Sequence, residues 1–113
     1  MQKIEAIIRP EKLDDVKEAL AGAGFTGLNI VHVTGRGAQK GIVHMGRGGE
    51  TYSIDMLPKV KIEVVVKDSD ADKAVKLIVD NAKTGNIGDG KIFLLPVADA
   101  IRVRTGERGD AAV

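Results

Sequence analysis

The chain has 113 residues, which is enough for one modest hydrophobic core and too few for two. A net charge of +1 and only 3% aromatic residues disfavour a nucleic-acid or membrane surface and leave no stacking platforms for single-stranded RNA. Cysteine is absent, no apolar run reaches membrane-spanning length, and the N-terminus leads directly into a strand-like segment, so we expect a cytoplasmic protein.

An internal repeat divides the chain into two halves. Residues Lys3–Arg9 match Lys61–Lys67 without a gap, and the same register continues to Thr26-Gly27 against Thr84-Gly85. Each copy has the pattern of a strand followed by a helix. The repeat therefore predicts two structurally similar units.

The first half begins with a predicted strand over Gln2–Arg9, which is dense in Ile and ends at Pro10. A helix is predicted over Glu11–Ala21, with glycines after it that would end it. A second strand is predicted over Leu28–Thr34. The helix residues expected to face the core are Leu13, Val16 and Leu20.

The second half repeats this order. Asp68, Ser69 and Asp70 offer side chains that could cap the start of a helix, and a further strand is predicted over Lys91–Val97. The helix residues expected to face the core are Ala71, Ala74, Val75, Ile78, Val79 and Ala82.

Two strand-helix-strand units in one small chain predict an α+β fold, a ferredoxin-like βαββαβ sandwich with a long loop between the halves. Its four-stranded antiparallel sheet would carry both helices on one face and leave the other face open. Segments Val64–Val66 and Phe93–Leu95 are apolar on both sides. We therefore expect the open face to pack against other copies of the chain.

The segment between the halves, from Gly35 to Met56, holds six glycines and shows no sustained periodicity. A loop of this length is functional or an unstructured insertion, and composition alone leaves both open. It contains Tyr52, which is the only tyrosine, and two arginines. These residues favour protein recognition or modification.

The segment Thr84–Lys91 combines three glycines with an aspartate and a lysine. Glycine amides can form a concave site for phosphate, and Lys91 would add a positive charge. The alternative is a tight connection with glycine at the helix C-cap. Further along, a strand would place Arg102 and Arg104 on one side, either to clamp phosphates or as a solvated basic edge, before a frayed end at Gly109–Val113.

Catalysis has little support in the sequence. His32 and His44 are too isolated to indicate a metal site, and Glu63 with Asp89 lacks a clustered nucleophile or base. We expect Glu63 to lie beside Lys91 as a buried strand pair and the protein not to be an enzyme. The alternatives are a small phosphatase or slow ATPase, and an RNA-binding sheet, which the shortage of aromatic residues disfavours.

Four segments in fixed order complete the sequence evidence. They are the glycine-rich segment Gly35–Met56 and the segments Leu57–Glu63, Thr84–Phe93 and Ile101–Glu107. Together they closely resemble the PII family of nitrogen-regulatory signal-transduction proteins, over essentially the whole chain. The resemblance implies a single PII-type domain over residues 1–113 that forms a homotrimer and binds ATP or ADP between subunits. Its named parts would be a T-loop (about 36–56), a phosphate loop (about 84–91) and a C-terminal loop (about 102–113).

The resemblance also implies which residues bind the nucleotide. The phosphates would be held by Gly88, Asp89, Gly90 and Lys91. Arg102 and Arg104 would reach across from the neighbouring subunit. The rest of the nucleotide site would consist of Asn29 near the base, Gly37, Ala38, Gln39, Val65 and Val103.

In this family Mg²⁺ with ATP recruits 2-oxoglutarate. By position, Gln39 would ligate the metal and Lys59 would pair with a 2-oxoglutarate carboxylate. The remaining 2-oxoglutarate contacts would come from Lys40, Gly41 and Gly88. A hard divalent cation prefers oxygen ligands, which a Gln amide, phosphates and a 2-oxoacid supply together. Binding at the base of the T-loop should then bias the conformation of the whole loop.

The resemblance implies that the T-loop binds an ammonium transporter or a nitrogen-assimilation enzyme or regulator. The membrane would be involved only through a transporter, and nucleic acid would not be a partner. Arg47 matches the arginine that plugs the transporter exit, and Tyr52 matches a tyrosine that is uridylylated in relatives. The sequence departs from the family pattern with Ala38 in place of arginine, Asn29 in place of threonine and an additional Thr51. The alternative function is a divergent adenine-nucleotide sensor that does not respond to 2-oxoglutarate.

Overall fold

A computed structural model describes residues 1–36, 42–45, 51–54 and 56–113, and gives the backbone alone for 42–45 and 51–54. The strands are β1 (Gln2–Ile8), β2 (Leu28–Gly35), β3 (Ile42–Met45), β4 (Thr51–Ile54), β5 (Leu57–Val66) and β6 (Gly90–Pro96). The helices are α1 (Leu13–Gly22) and α2 (Ala71–Ala82). Short 3₁₀ turns cover Pro10–Lys12, Asp68–Asp70 and Gly109–Ala112.

Four of the strands form one antiparallel sheet in the order β2-β5-β1-β6. Neither half of the repeat pairs its own strands, because β1 lies between β5 and β6, and β2 pairs with β5. The strand order, with two helices on one face, is consistent with the predicted ferredoxin-like fold. The α+β class and the four-stranded antiparallel sheet are confirmed.

The core lies between this sheet and the two helices. Alternate residues of β1 and β5 point towards the helices and are buried, as period-two patterning requires. On the helix side, Val16 and Leu20 of α1 are fully buried, as predicted. The small residues of α2 let its backbone approach the sheet closely. The buried residues are Ile4, Ala6, Ile8, Val16, Leu20, Val60, Ile62, Val64, Val66, Ala71, Ala74, Ile78 and Ala82.

Both halves enter their helix in the same way, through an extended residue and a 3₁₀ turn. The prediction that Asp68, Ser69 and Asp70 cap α2 is wrong, because no side chain makes a capping hydrogen bond there and the three residues form the turn itself. The prediction for Val79 is also wrong. Val79 is 41% exposed because it lies at the margin of the face of α2 that meets the sheet.

No described residue of the chain covers the sheet face opposite the helices, which carries Val31, Phe93 and Leu95; Phe93 is 48% exposed. Charged residues lie among them. Lys3 Nζ lies 2.5 Å from Glu63 Oε2 and 3.2 Å from Glu5 Oε1, and the hydrogen bond from Lys3 holds the pKa of Glu63 below its usual value.

The predicted pair of Glu63 with Lys91 is wrong. In the strand register Glu63 lies opposite Glu5, whereas Lys91 lies opposite Ile7. Strand β1 separates β5 from β6, so the two side chains stand on strands that do not touch. The partner of Glu63 is Lys3 instead.

Part of the segment between the halves has regular structure. Strands β3 and β4 form an antiparallel pair, with Ile42 opposite Ile54 and Met45 opposite Thr51. The absence of a sequence period thus did not exclude a hairpin. Within the described residues, no helix combines the length and apolarity needed to cross a membrane.

Candidate functional site

The phosphate loop joins the end of α2 to the start of β6. Gly85, Gly88 and Gly90 have φ angles of +89°, +104° and +106°. Side chains strongly disfavour this region, so the loop requires glycine at these positions. Helix α2 ends at Ala82, and the next residue, Lys83, is extended. A glycine C-cap, the alternative interpretation of this segment, is therefore not what the structure contains.

Asp89 closes the phosphate loop on itself. Its carboxylate accepts hydrogen bonds from the backbone N–H groups of Thr84 and Gly85, each at 2.9 Å, and from the Thr84 hydroxyl. These bonds, with the Thr84 hydroxyl first, hold the pKa of Asp89 well below its usual range. Two amides at the start of the loop are therefore already occupied by a carboxylate of the same chain.

Two cations fix the other side of the loop. Arg9, which follows β1, donates from Nε to Asp89 Oδ1 at 3.1 Å and from Nη2 to the Ile87 carbonyl at 2.8 Å. Lys59 of β5 donates from Nζ to the Gly88 carbonyl at 2.7 Å. Burial, followed by the nearby Arg9 charge, lowers the pKa of Lys59. Arg9, just after β1, and Lys59 of β5 thus set the position of the loop.

A second candidate region is a cleft of about 910 Å³ at the other end of the sheet. Among the residues predicted to bind nucleotide, it includes Asn29, Val65 and Arg102 and none of the phosphate loop. Its volume falls in the range of small-molecule sites. It is lined also by Phe25 and by Gly27.

The two regions lie at opposite ends of β1. Val65 pairs with Lys3 near the start of this strand, whereas Gly90 pairs with Ile8 at its end. At a rise of about 3.3 Å per residue, the two pairing positions are roughly 16 Å apart. Within a single chain, the residues of the phosphate loop and those of the cleft therefore do not form one site.

The segment carrying Arg102 and Arg104 is a turn, and the predicted strand is wrong there. The Arg102 N–H donates to the Glu107 carbonyl at 2.9 Å, and the Gly106 N–H donates to the Arg102 carbonyl at 2.7 Å. Gly106, with φ +73°, allows the chain to reverse at this point. Alternation along a strand therefore does not apply. Val103 is 99% exposed.

The last residues are also more regular than predicted. Instead of a frayed end, residues Gly109–Ala112 form a 3₁₀ turn. Asp99 anchors this end through Arg108 at 3.0 Å and through the Gly109 N–H at 3.1 Å. The Arg102 guanidinium donates to the Ala111 carbonyl at 3.1 Å.

Comparison with known proteins decides the family. The family model described as nitrogen regulatory protein P-II matches residues 1–107. The chain belongs to the P-II family. It is 57% identical over 113 residues to nitrogen regulatory protein P-II 1 of Escherichia coli (strain K12), with full coverage of both chains. The P-II proteins of Klebsiella oxytoca and Cereibacter sphaeroides are also 57% identical over their full length.

The P-II residues predicted for ligand binding fall into three sets in the structure. Gly88, Asp89, Gly90 and Lys91 lie together at the phosphate loop, and Lys59 reaches the same loop. Asn29, Val65 and Arg102 share the cleft, and exposed Val103 and Arg104 follow in the C-terminal loop. The third set lies outside the described residues and consists of Gly37, Ala38, Gln39, Lys40, Gly41 and Arg47. Tyr52 lies on β4, where the structure describes only its backbone.

Arg9 of this P-II member was not among the residues predicted for the site. The residue contacts Asp89 across a separation of 80 positions, and no motif joins the two. One signal was available, because Arg9 is the last residue of the repeated strand segment and precedes Pro10. A cation at the end of a buried strand, beside the start of a helix, needs an acceptor nearby.

Proposed function

We propose that this P-II family member is a nitrogen regulator that senses adenine nucleotides and 2-oxoglutarate and does not catalyse a reaction. ATP or ADP would bind between copies in a homotrimer, and 2-oxoglutarate would bind with Mg²⁺ and ATP. The observation that carries the proposal is the phosphate loop. Its glycine backbone, with Lys91 following and Lys59 and Arg9 beside it, suits a polyanion.

The separation of the two regions supports a site between copies. The phosphate loop of one chain supplies glycines and Lys91, and the cleft of a neighbouring chain supplies Asn29, Val65 and Arg102. Because the regions are about 16 Å apart along β1, each copy would contribute one region to a shared nucleotide. The family's regulatory naming and the absence of a clustered nucleophile in the sequence favour sensing over turnover.

The 2-oxoglutarate site would lie beside Lys59. Lys59 donates to the Gly88 carbonyl, so its ammonium group lies at the phosphate loop. A carboxylate of the effector would accept a hydrogen bond from this ammonium group. The oxygen-rich set of Gln39, phosphates and 2-oxoacid suits Mg²⁺, which supplies positive charge between these anions when bound. Lys40, Gly41 and Gly88 would complete the effector site.

The uncovered sheet face supports assembly into a homotrimer. Phe93 is 48% exposed in one chain, and Val31 and Leu95 are exposed apolar residues of the same face. Sedimentation of the wild-type protein should give the mass of three chains, and Phe93→Asp should reduce that mass. Val79→Asp makes the same change on an exposed apolar residue of α2 and should leave the assembly intact. A wild-type mass of one chain would exclude the trimer.

Binding is tested by calorimetry. ATP and ADP should each bind the wild-type protein, and 2-oxoglutarate should bind with Mg-ATP and not with Mg-ADP. Lys91→Ala should abolish nucleotide binding, whereas Lys83→Ala, an exposed lysine just before the loop, should retain it. Absence of nucleotide binding by the wild-type protein would refute the proposal. Nucleotide binding without any 2-oxoglutarate response would identify a divergent adenine-nucleotide sensor, and ATP turnover lost in Lys91→Ala would identify a slow ATPase.

The T-loop would carry the output to an ammonium transporter or a nitrogen-assimilation partner. Arg47 is the residue we propose for transporter contact, and Tyr52 the residue for uridylylation. Arg47→Ala should abolish co-sedimentation with transporter-containing membranes without changing ATP affinity. Retained co-sedimentation would exclude Arg47 as the contact.

A further inference from the structure

The Arg102 side chain already has an anionic partner in its own chain. Its Nη1 donates to Glu107 Oε1 at 3.0 Å, and its Nη2 donates to the Ala111 carbonyl at 3.1 Å. The side chains of Arg102 and Glu107 are 41% and 43% exposed, so solvent and dissolved anions reach the pair. This guanidinium therefore borders the cleft while paired with a carboxylate of its own chain.

The turn does not depend on the Glu107 carboxylate. The backbone of residues 101–108 is closed by the Ile101–Arg108 bridge, by the Arg102 N–H to Glu107 carbonyl bond and by the Gly106 N–H to Arg102 carbonyl bond. The Glu107 N–H also donates to the Thr105 hydroxyl at 3.2 Å. These bonds use only main-chain atoms of Glu107. Among the residues that the structure describes, the carboxylate of Glu107 contacts Arg102 alone.

We propose that Glu107 competes with the phosphates of a bound nucleotide for Arg102 and thereby sets the nucleotide affinity of the cleft. The inference rests on the proposed nucleotide function. A carboxylate and a phosphate oxygen accept from the same guanidinium N–H groups, so a phosphate that takes the Nη1 side of Arg102 must displace Glu107. Glu107 thus lowers affinity by the free energy of the pair that must break, which is small for an exposed ion pair.

The test compares ATP affinity in Glu107→Gln and wild-type protein by calorimetry. Glutamine keeps the size and the acceptor oxygen and removes the charge. We expect Glu107→Gln to bind ATP about two- to five-fold more tightly, the range that an exposed ion pair allows. Glu107→Ala should change affinity in the same direction, so that a folding defect in either variant does not decide the result.

Asp99→Asn is the matched control. It removes one negative charge from the same C-terminal region and breaks an ion pair with Arg108 that does not involve Arg102. The control should leave ATP affinity near the wild-type value. The difference in ATP affinity between Glu107→Gln and wild type should become smaller at high salt. The inference is overturned if Glu107→Gln binds ATP no more tightly than wild type, if Asp99→Asn gains as much, or if salt leaves the gap unchanged. If neither wild type nor Glu107→Gln binds ATP, the proposed function itself fails and this inference with it.

Discussion

Gly90 is a position where the backbone leaves almost no room for a side chain. A Cβ added there would stand 1.7 Å from the Ile7 carbonyl oxygen, 2.8 Å from the Ile7 carbonyl carbon and 3.3 Å from the Ile8 Cα. All three atoms belong to the backbone of the central strand β1, so no side-chain rotation relieves the overlap. Gly90→Ala must therefore push β6 away from β1 where the two strands begin to pair.

The expected cost has two parts. The φ angle of +106° is unfavourable for alanine by about 1 to 3 kcal/mol. Separation of the strand ends should also weaken the hydrogen bonds near the Ile8–Gly90 pair, at about 1 kcal/mol each. Together we expect Gly90→Ala to lower the free energy of unfolding by about 3 to 5 kcal/mol, against about 5 to 15 kcal/mol for a whole domain.

Gly85→Ala provides the comparison within the same loop. Gly85 also has a positive φ, of +89°, but its added Cβ meets nothing within 4 Å. Only conformational strain remains, and we expect a loss of about 1 kcal/mol. Because the chain has no tryptophan, unfolding in urea is followed by far-ultraviolet circular dichroism at one protein concentration. Equal losses for the two variants would refute the steric explanation.

Three further changes test other parts of the fold. Hydrogen bonds depress the pKa of Asp89, and the bond from the Thr84 hydroxyl contributes most. The Asp89 carboxylate therefore stabilises the fold above the unfolded-state pKa of about 4. This stabilisation is lost as pH falls through the folded-state pKa. The stability gap between wild type and Asp89→Asn, measured in urea, should therefore shrink below about pH 4; a constant gap would contradict this. Ile62→Ala should cost about 2 to 5 kcal/mol and Ile62→Val about 1 kcal/mol, because Ile62 is fully buried in β5; similar losses would exclude a cavity effect. Gly22→Ala should raise the thermal midpoint slightly, since its Cβ meets nothing within 4 Å and alanine favours α1; a lower midpoint would count against this.

The sequence was sufficient to predict both helices and the strands of the four-stranded sheet in their order along the chain, but not the β3–β4 hairpin. The repeat predicted two strand-helix-strand units, and the spacing of Val16 and Leu20 identified the buried face of α1. Alternation within a strand shows which residues share a face, but it does not show which strands are neighbours. The predicted partner of Glu63 failed for this reason, because β1 stands between Glu63 and Lys91.

The candidate site was predictable only where a local motif marks it. The glycines of the phosphate loop were recognisable from the composition of the segment, and all three have positive φ angles. The contacts of Arg9 with Asp89 depend on the tertiary fold and have no local pattern. Arg102 was assigned to a strand because it alternates with Arg104 in the sequence. The positive φ angle of Gly106 lets the chain reverse direction there, and the alternation does not reveal this turn.

The interleaved sheet gives the molecule an approximate internal twofold axis. Glu5 and Glu63 are equivalent positions of the repeat, and they are also direct cross-strand neighbours. The axis therefore passes between these two glutamates. Each half contributes two strands that find every hydrogen-bonding neighbour in the other half. A single half has no sheet of its own, and the chain behaves as a covalently joined dimer of two βαβ units.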